Sequence, residues 1–339
     1  MDKIAVVILN WNGVKLLEQF LPSVIQFSEG AAIYVADNDS TDNSVEFVTK
    51  NFPSVKIVKN TGNHGFAKGY NDALQHIDAE IFALVNSDIE VTENWLKPII
   101  ETFDNQQQTA IIQPKILDFK NKEYFEYAGA AGGFIDKYGF PFCRGRIFET
   151  VEKDNGQYDD ECELFWASGA CFFIRKKVYH QLGGFDESFF AHQEEIDLCW
   201  RAANEGHIIK YNPASKVYHV GGATLQQGNP KKTYLNFRNS LLMLVKNLPK
   251  KGLFFVIFFR MVLDGIAGIR FLTQGKFGHT FAILKAHFSF YYLSLKYLKK
   301  RKNFQIQQYY TVKSIVFLYY IKKITLFKDI FNSIQNIKN

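Results

Sequence analysis

The chain reads as an α/β protein with a mostly parallel central sheet flanked by helices, and three observations predict it. Through the first half of the 339 residues, short apolar runs alternate with stretches of helical length, the pattern of strands joined by crossover helices. Three of those runs stop abruptly in short polar residues, at Asn10-Trp11-Asn12-Gly13, Asp37-Asn38-Asp39 and Asn86-Ser87-Asp88; open α/β sheets bind ligands at the carboxyl ends of their strands. Composition agrees with a folded domain, at 47% hydrophobic and 22% charged residues.

Taken in order, Ile4–Leu9 (IAVVIL) is the first strand and Gly13–Phe27 the helix after it. Ala32–Ala36 is the second strand, followed by a helix capped near Ser40 or Thr41 with acids in its first turn. Val55–Val58 is a third strand, Phe66–His76 a helix and Ile81–Val85 a fourth, central strand. Trp166–Arg175 reads as a later strand, leading through a short helix to the loop Gly183-Gly184-Phe185-Asp186. Gln193–Glu205 is helical, and Lys216–Tyr218 a strand ended by His219. No internal repeat or low-complexity linker interrupts the pattern.

The texture changes after about residue 222, which predicts two parts: a ligand-binding domain over 1–222 and a basic, aromatic-rich helical region over 223–339. Charge divides similarly. Residues 1–230 carry a balance of −12 and residues 231–339 one of +18, giving the net +6. Such asymmetry calls for an anionic partner of the tail. Leu253–Phe259 (LFFVIFF) is apolar, but Arg260, Asp264 and Arg270 interrupt the residues after it, so a helix lying in a membrane surface fits better than a spanning one. Lys296, Lys299, Lys300, Arg301 and Lys302 lie between aromatic segments at 288–292 and 309–320, which suits an anionic lipid interface. A helical subdomain with a solvated basic face is the structural alternative. No nucleic-acid motif accompanies the charge, so a nucleic-acid partner is not expected. The four cysteines lack metal or redox spacing and read as reduced structural thiols of a cytosolic protein. Met1-Asp2-Lys3 runs straight into a strand, so no cleavable leader is expected.

Five polar clusters carry candidate chemistry. Asn10 and Asn12 after the first strand, with Asp37 and Asp39 after the second, would floor a nucleoside pocket, a carboxylate there accepting from a base N–H or ribose hydroxyl; helix capping is the plainer use of the same residues. The run Asn60-Thr61-Gly62-Asn63-His64-Gly65-Phe66-Ala67-Lys68-Gly69-Tyr70-Asn71 would bring backbone close to a ligand and turn amides to phosphate. It matches neither the dinucleotide fingerprint nor the P-loop. Ser87 and Asp88 end the fourth strand, and a hard cation, Mg or Mn, can be held by one or two carboxylates plus substrate phosphates. Glu194, Glu195 and Asp197 open a helix; one of them near an acceptor hydroxyl could serve as general base, or all could simply favour the helix dipole. His219 is a candidate metal ligand, with a structural role equally open.

Together these residues resemble the family 2 glycosyltransferases, in particular the non-processive rhamnosyltransferase-like branch. The matching pieces are residues 7–13, 37–42, 60–71, 84–88, Ser168-Gly169-Ala170, 183–198 and Arg238-Asn239, spanning roughly residues 3–240. The resemblance implies the GT-A fold, a nucleotide-diphospho-sugar donor, a divalent cation, and an inverting, metal-dependent transfer of one sugar to a lipid-linked or nascent surface glycan at the inner face of the cell membrane. By the same resemblance Asp37 contacts the nucleoside, Asp88 binds the metal, Gly169 lies in the donor site and Glu195 takes the base position, with Glu194 as competitor. Two departures stand out: Asn86 replaces the first aspartate of the metal motif, and Glu195 stands where Asp is usual. A sugar-phosphate nucleotidylyltransferase and a non-catalytic sugar-nucleotide binding module are the competing functions.

Overall fold

The computed structural model describes residues 2–221 and 228–330. The first apolar run forms β1 (Asp2–Asn10), followed by α1 (Val14–Phe27), β2 (Ala32–Asp37), α2 (Ser44–Asn51), β3 (Lys56–Lys59), α3 (Gly65–Leu74) and β4 (Ala79–Asn86). β1 pairs in parallel with both β2 and β4, and β2 with β3. Val6, Val7, Ala83 and Leu84 are fully buried. The two middle strands are therefore covered on both faces, which is why they read as unbroken apolar runs rather than alternating ones.

After a short β5 (Ile89–Val91) and α4 (Lys97–Asn105), β6 (Thr109–Asp118) enters the same sheet. A second, four-stranded antiparallel sheet comes next, of β7 (Gly133–Ile135), β8 (Pro141–Cys143), β9 (Arg146–Ile147) and β10 (Thr150–Val151). Strands of two or three residues are too short for a periodicity to be seen, and the sequence reading missed all four. β11 (Cys162–Leu164), β12 (Cys171–Arg175) and β13 (Ile208–His219) complete the main sheet, in the order β11-β13-β6-β12-β4-β1-β2-β3 with β5 on β13. β12 runs antiparallel between β4 and β6, while β13 is parallel to β6. This topology brings the amino end of β12 and the carboxyl end of β13 to the edge where β1, β2 and β4 also finish.

Three boundaries differ from the sequence expectation for physical reasons. The strand expected over Trp166–Arg175 begins only at Cys171, because Trp166 Nε1 donates to the Phe134 carbonyl and the Ser168 amide to Gln113 Oε1, pulling that segment off the ladder. β13 begins eight residues earlier than expected. Its register shifts between Asn212 and Lys216, where Pro213 sits at a bulge, a place sheets allow proline. α2 starts at Ser44 rather than after Ser40 or Thr41, because the amides of those two residues are taken by Asp37 and Asn12.

Two apolar clusters fill the faces of the sheet. One contains Leu17 and Leu21 of α1 with Trp95 and Phe103. The other holds Tyr70 of α3 and Phe172, and continues through α5 (Lys176–Gln181) and α6 (Glu194–Asn204) into α7 (Pro230–Asn247). The expected division at residue 222 lies at the start of the segment outside the described residues. Beyond it, Leu241–Val245 of α7 are buried in the same core as the sheet. α8 (Leu253–Thr273) and α9 (Phe277–Lys299) pack beside α7, and the chain then folds back through α10 (Ile315–Tyr320). There Tyr309 stacks on Trp200 with ring centroids 5.2 Å apart, and the Ile315 amide donates to Asp136. Among the described residues no helix is long and apolar enough to cross a membrane.

Candidate active site

The parallel register sets Asn10 beside Asp37 and Leu9 beside Asn86. Asp37 and the turn carrying Asp88 thus flank one strand, roughly 10 Å apart at 4.8 Å per strand spacing. Asp37 is buried; its Oδ1 accepts from Asn10 Nδ2 at 3.0 Å and from Ser40 Oγ at 2.6 Å, and its Oδ2 from the Ser40 amide at 2.9 Å. One lone-pair direction of Oδ2 is left for a ligand. Asn10 keeps a buried Oδ1 with no partner, and a Cβ at Gly13 would stand 2.5 Å from it. Asn12, at φ 51°, accepts the Thr41 and Asp42 amides and so ties the two strand ends together. Asp39 is exposed at the rim, also with positive φ (60°).

The glycine-rich run is used differently from the sequence expectation. The first amides of α3 face no open space: Gly65 N donates to Asn63 Oδ1, and Phe66 N and Ala67 N to the Phe190 carbonyl. Gly65 has φ +86°, and a Cβ there would fall 2.6 Å from that carbonyl. The glycine serves a close chain crossing, so these amides are not turned to phosphate. Asn60 Nδ2 donates to Asn38 Oδ1 and the Gly69 carbonyl. Asn71 donates to the Phe185 carbonyl and Glu187, and accepts from Tyr179 and the Phe185 amide. Three of these four bonds hold the 183–187 loop in place, and the fourth ties Asn71 to α5 through Tyr179.

Asp88 is buried beside His219, which β5–β13 pairing sets opposite Ile89. His219 Nε2 is 3.1 Å from Asp88 Oδ1, and Nδ1 is 3.2 Å from Glu126 Oε1, near enough for an ion pair but off line for a hydrogen bond. Burial opposes charge on this imidazole, yet the two carboxylates push its pKa up to about 10. Two cis ligands of an octahedral ion bound at about 2.1 Å stand about 3.0 Å apart, so Asp88 and His219 fit a divalent cation at the separation they already have. Among the described residues no group of three His, Cys or carboxylates would hold an ion unaided; the His219 ring stands between Asp88 and Glu126. Further ligands would have to come from a bound anion. Lys232, partly buried with its pKa lowered by desolvation, lies within the field of Glu126. Ser87 and Asn86 are partly exposed on the same turn. Neither Glu126 nor Lys232 was singled out from the sequence, which offers no signal at either beyond their charge.

Glu194 and Glu195 open α6 behind a strained loop in which Phe190, His192 and Gln193 have φ 65°, 70° and 75°. Such conformations cost of order 1–3 kcal/mol each unless the surroundings impose them. Here Asn239 Nδ2 donates to three carbonyls of the loop, and Arg238 to two, clamping it from α7. Glu195 is partly exposed and borders Gly169, whose added Cβ would touch its Cβ and Cδ at 3.8 Å. Gly169 adjoins β4 through the Asn86 amide on the Ala170 carbonyl, which brings Glu195 to the same sheet edge as Asp88. Burial pushes Glu195 up to about 7. Glu194 is fully enclosed, with Oε2 unpaired, and is raised well above the carboxylate range by burial and by Glu195 beside it. Asp197 turns the other way, onto Arg201 at 2.8 Å and Lys246 at 2.9 Å. A cavity of about 470 Å³ bounded by Lys137, Tyr138, Val256 and Tyr309 includes none of these residues.

Residues 5–183 match the model of a family described as Glycosyl transferase family 2. The chain is 23% identical over 233 residues to the N-acetylglucosaminyl-diphospho-decaprenol L-rhamnosyltransferase of Mycobacterium tuberculosis, covering 64% of this chain and 76% of that protein. Its fold is similar to that of the mannosyltransferase PcManGT from Pyrobaculum calidifontis, solved with GDP-Man and Mn2+ (TM-score 0.53, 13% identity, 86% and 87% covered). It is also similar to GalNAc-T7, solved with UDP, GalNAc and Mn2+ (TM-score 0.59, 17% identity), where it spans 73% of this chain and about half, 48%, of the other.

Proposed function

The chain belongs to glycosyl transferase family 2, with the GT-A fold, and on that premise we propose that it moves one sugar, with inversion, from a nucleotide-diphospho-sugar to a lipid-linked glycan acceptor at a membrane surface. The observation that carries the proposal is the meeting at one sheet edge of Asp37, the Asp88–His219 pair and Glu195. In this reading residues 1–222 bind the donor and carry the chemistry, α7 braces the loop before Glu195, and the helices after it hold the enzyme at the membrane.

Asp37 and Asn10 receive the nucleoside, and Gly169 leaves room for the sugar next to Glu195. Asp88 and His219 hold a divalent cation, Mg or Mn, which supplies charge neutralisation for the departing diphosphate; Mn2+ in two similar structures supports that choice. Glu195 takes the proton of the acceptor hydroxyl. The freed oxygen attacks the anomeric carbon from the face opposite the diphosphate, and the bonding pair leaves with the nucleoside diphosphate. A carboxylate near pKa 7 suits this role, since general bases work best with a pKa near the operating pH. Glu194, more deeply enclosed and next to that charge, stays protonated and is the poorer base.

The acceptor class is taken from the decaprenol-linked substrate in the name of the mycobacterial relative, and the C-terminal helices support it. Phe254, Phe255, Phe258, Ile266 and Ile269 of α8 and Phe281, Phe288, Tyr292 and Leu295 of α9 all point to solvent, Tyr292 with 87% of its surface exposed. Apolar patches of that kind mark protein or membrane contacts, and the +18 balance around them favours an anionic leaflet. Arg260 and Asp264 pair on the opposite, buried side of α8 against the carbonyls of Tyr138 and Gly139. Placement on the inner face of the cell membrane follows from where nucleotide-sugars and reduced thiols are kept.

The test is a panel of UDP-, GDP- and dTDP-sugars scored by thermal stabilisation with and without Mn2+, followed by transfer to a polyprenyl-diphosphate-linked sugar in vesicles. Stabilisation by one nucleotide-sugar, stronger with Mn2+, is expected. Absence of stabilisation by any of them would overturn the donor assignment.

A further inference from the structure

Glu126 lies in the loop between β6 and β7, on no piece of the sequence matched to a motif, yet it is as buried as Asp88. Its position is heavily constrained. The Glu126 amide donates to the Ile116 carbonyl, and its Oε2 accepts the Ala128 amide at 2.6 Å. The following turn is pinned by Gln113 Nε2 on the Gly129 and Ala130 carbonyls, and a Cβ at Gly129 would overlap Ser168 at 2.4 Å. Across the pocket Gly221, at φ +72°, leaves room for Glu126 Oε1, which an added Cβ would approach to 3.1 Å. That same oxygen stands 3.2 Å from His219 Nδ1, off line as the ring lies but on the side of the ring away from Asp88, where a small turn of the ring brings the two into line.

We propose that Glu126 is a positioning residue for the cation site: from behind the His219 ring it keeps Nδ1 as the donor and Nε2 as the lone pair turned toward Asp88. A neutral imidazole ligates metal through one nitrogen only, and its other N–H needs an acceptor to fix tautomer and ring angle. A simple ion pair would need one counter-charge for His219, and Asp88 already supplies it. Glu126 itself lies in the field of Lys232 and of the buried Arg146, so its charge is balanced without that of the imidazole. Glu126 acts in this way only if Asp88 and His219 are the cation ligands proposed above, and the test separates the two ideas.

The full chain is titrated with Mn2+ in the presence of UDP and, in parallel, GDP, with free Mn2+ read by electron paramagnetic resonance. Wild type, Asp88→Asn, Glu126→Ala and Glu126→Gln are compared. Removing such an outer carboxylate typically lowers metal affinity about 10–100-fold. Glu126→Ala is expected to show that loss with nucleotide binding in the absence of metal unchanged, and excess Mn2+ to restore turnover. Glu126→Gln keeps an acceptor for Nδ1–H and is expected to retain more affinity than the alanine variant. Histidine 15N spectra with Mg2+ should show a single tautomer, protonated at Nδ1, in wild type and a mixture in Glu126→Ala. Unchanged Mn2+ affinity and tautomer in folded Glu126→Ala would overturn the proposal. So would lowered melting of both variants with wild-type affinity in the folded fraction, which is what a purely structural carboxylate would give. Mn2+ binding that survives Asp88→Asn would instead overturn the ligand assignment, and the role of Glu126 with it.

Discussion

Glu195→Gln tests the chemistry most directly, because it removes a proton acceptor while keeping the shape that borders Gly169. General-base catalysis contributes about 10²–10⁴ in rate, so kcat should fall by that factor with donor KM little changed. Wild-type pH dependence gives an independent magnitude. Burial raises Glu195 from its ordinary 4.5 to about 7; the ionised fraction then climbs about tenfold between pH 6 and pH 8, whereas an ordinary glutamate would be ionised throughout. The pH profile of kcat/KM, measured at saturating Mn2+ with a radiolabelled or coupled nucleotide-release assay, should rise across that interval and flatten above pH 8. The same shift affects stability. The folded state holds this proton more tightly than the unfolded chain, so its stabilisation is present below pH 4.5 and is lost as pH rises through 7, by about 3 kcal/mol. Glu195→Gln should therefore melt higher than wild type at pH 8 and alike at pH 4. A flat rate profile from pH 6 to 8, together with a glutamine variant retaining more than about a tenth of wild-type turnover, would move the base elsewhere.

Asp88→Ala should abolish Mn2+-dependent nucleotide binding while leaving metal-independent binding to the β1–β2 floor, checked by calorimetry with and without chelator. Lys246→Ala strips a buried cation from Asp186 and Asp197, which it meets at 3.0 and 2.9 Å; breaking such a pair costs about 3–5 kcal/mol, readable as a fall in the denaturation midpoint. Serine at Phe255, Phe258, Phe281 and Phe288 together should release the protein from anionic vesicles in a flotation assay with no change in melting temperature, since all four rings are exposed. Truncation after Lys250 is a poorer probe of the membrane face. It would remove Lys300 from Asp186, and Tyr309 from Trp200, and so damage the catalytic core itself.

From the amino-acid sequence alone came the α/β class, the strands β1 to β4, and the polar ends that carry Asn10, Asp37 and Asp88. These rest on local rules: buried parallel strands are unbroken apolar runs, and short polar residues mark where they stop. The burial of Glu195 was legible only as an acid at a helix start. Its raised pKa comes from burial, which depends on segments far from it in the chain. Equally, nothing local distinguishes Asn71, whose side-chain bonds are spent on the 183–187 loop and on Tyr179, from an asparagine that binds a ligand. Gly65 invited a phosphate reading from its neighbours, and only the crossing of the Phe190 carbonyl reveals what the missing Cβ is for. Tertiary structure alone decided that the antiparallel β12 and the long β13 bring Gly169 and His219 to the edge shared with Asp88. It likewise decided that Glu126 closes the far side of the imidazole. The physical reason is that a strand's end is written in its own residues, whereas what stands beside that end is set by sheet order, which pairs segments as distant in sequence as Val85 with Cys171 and Ile89 with His219.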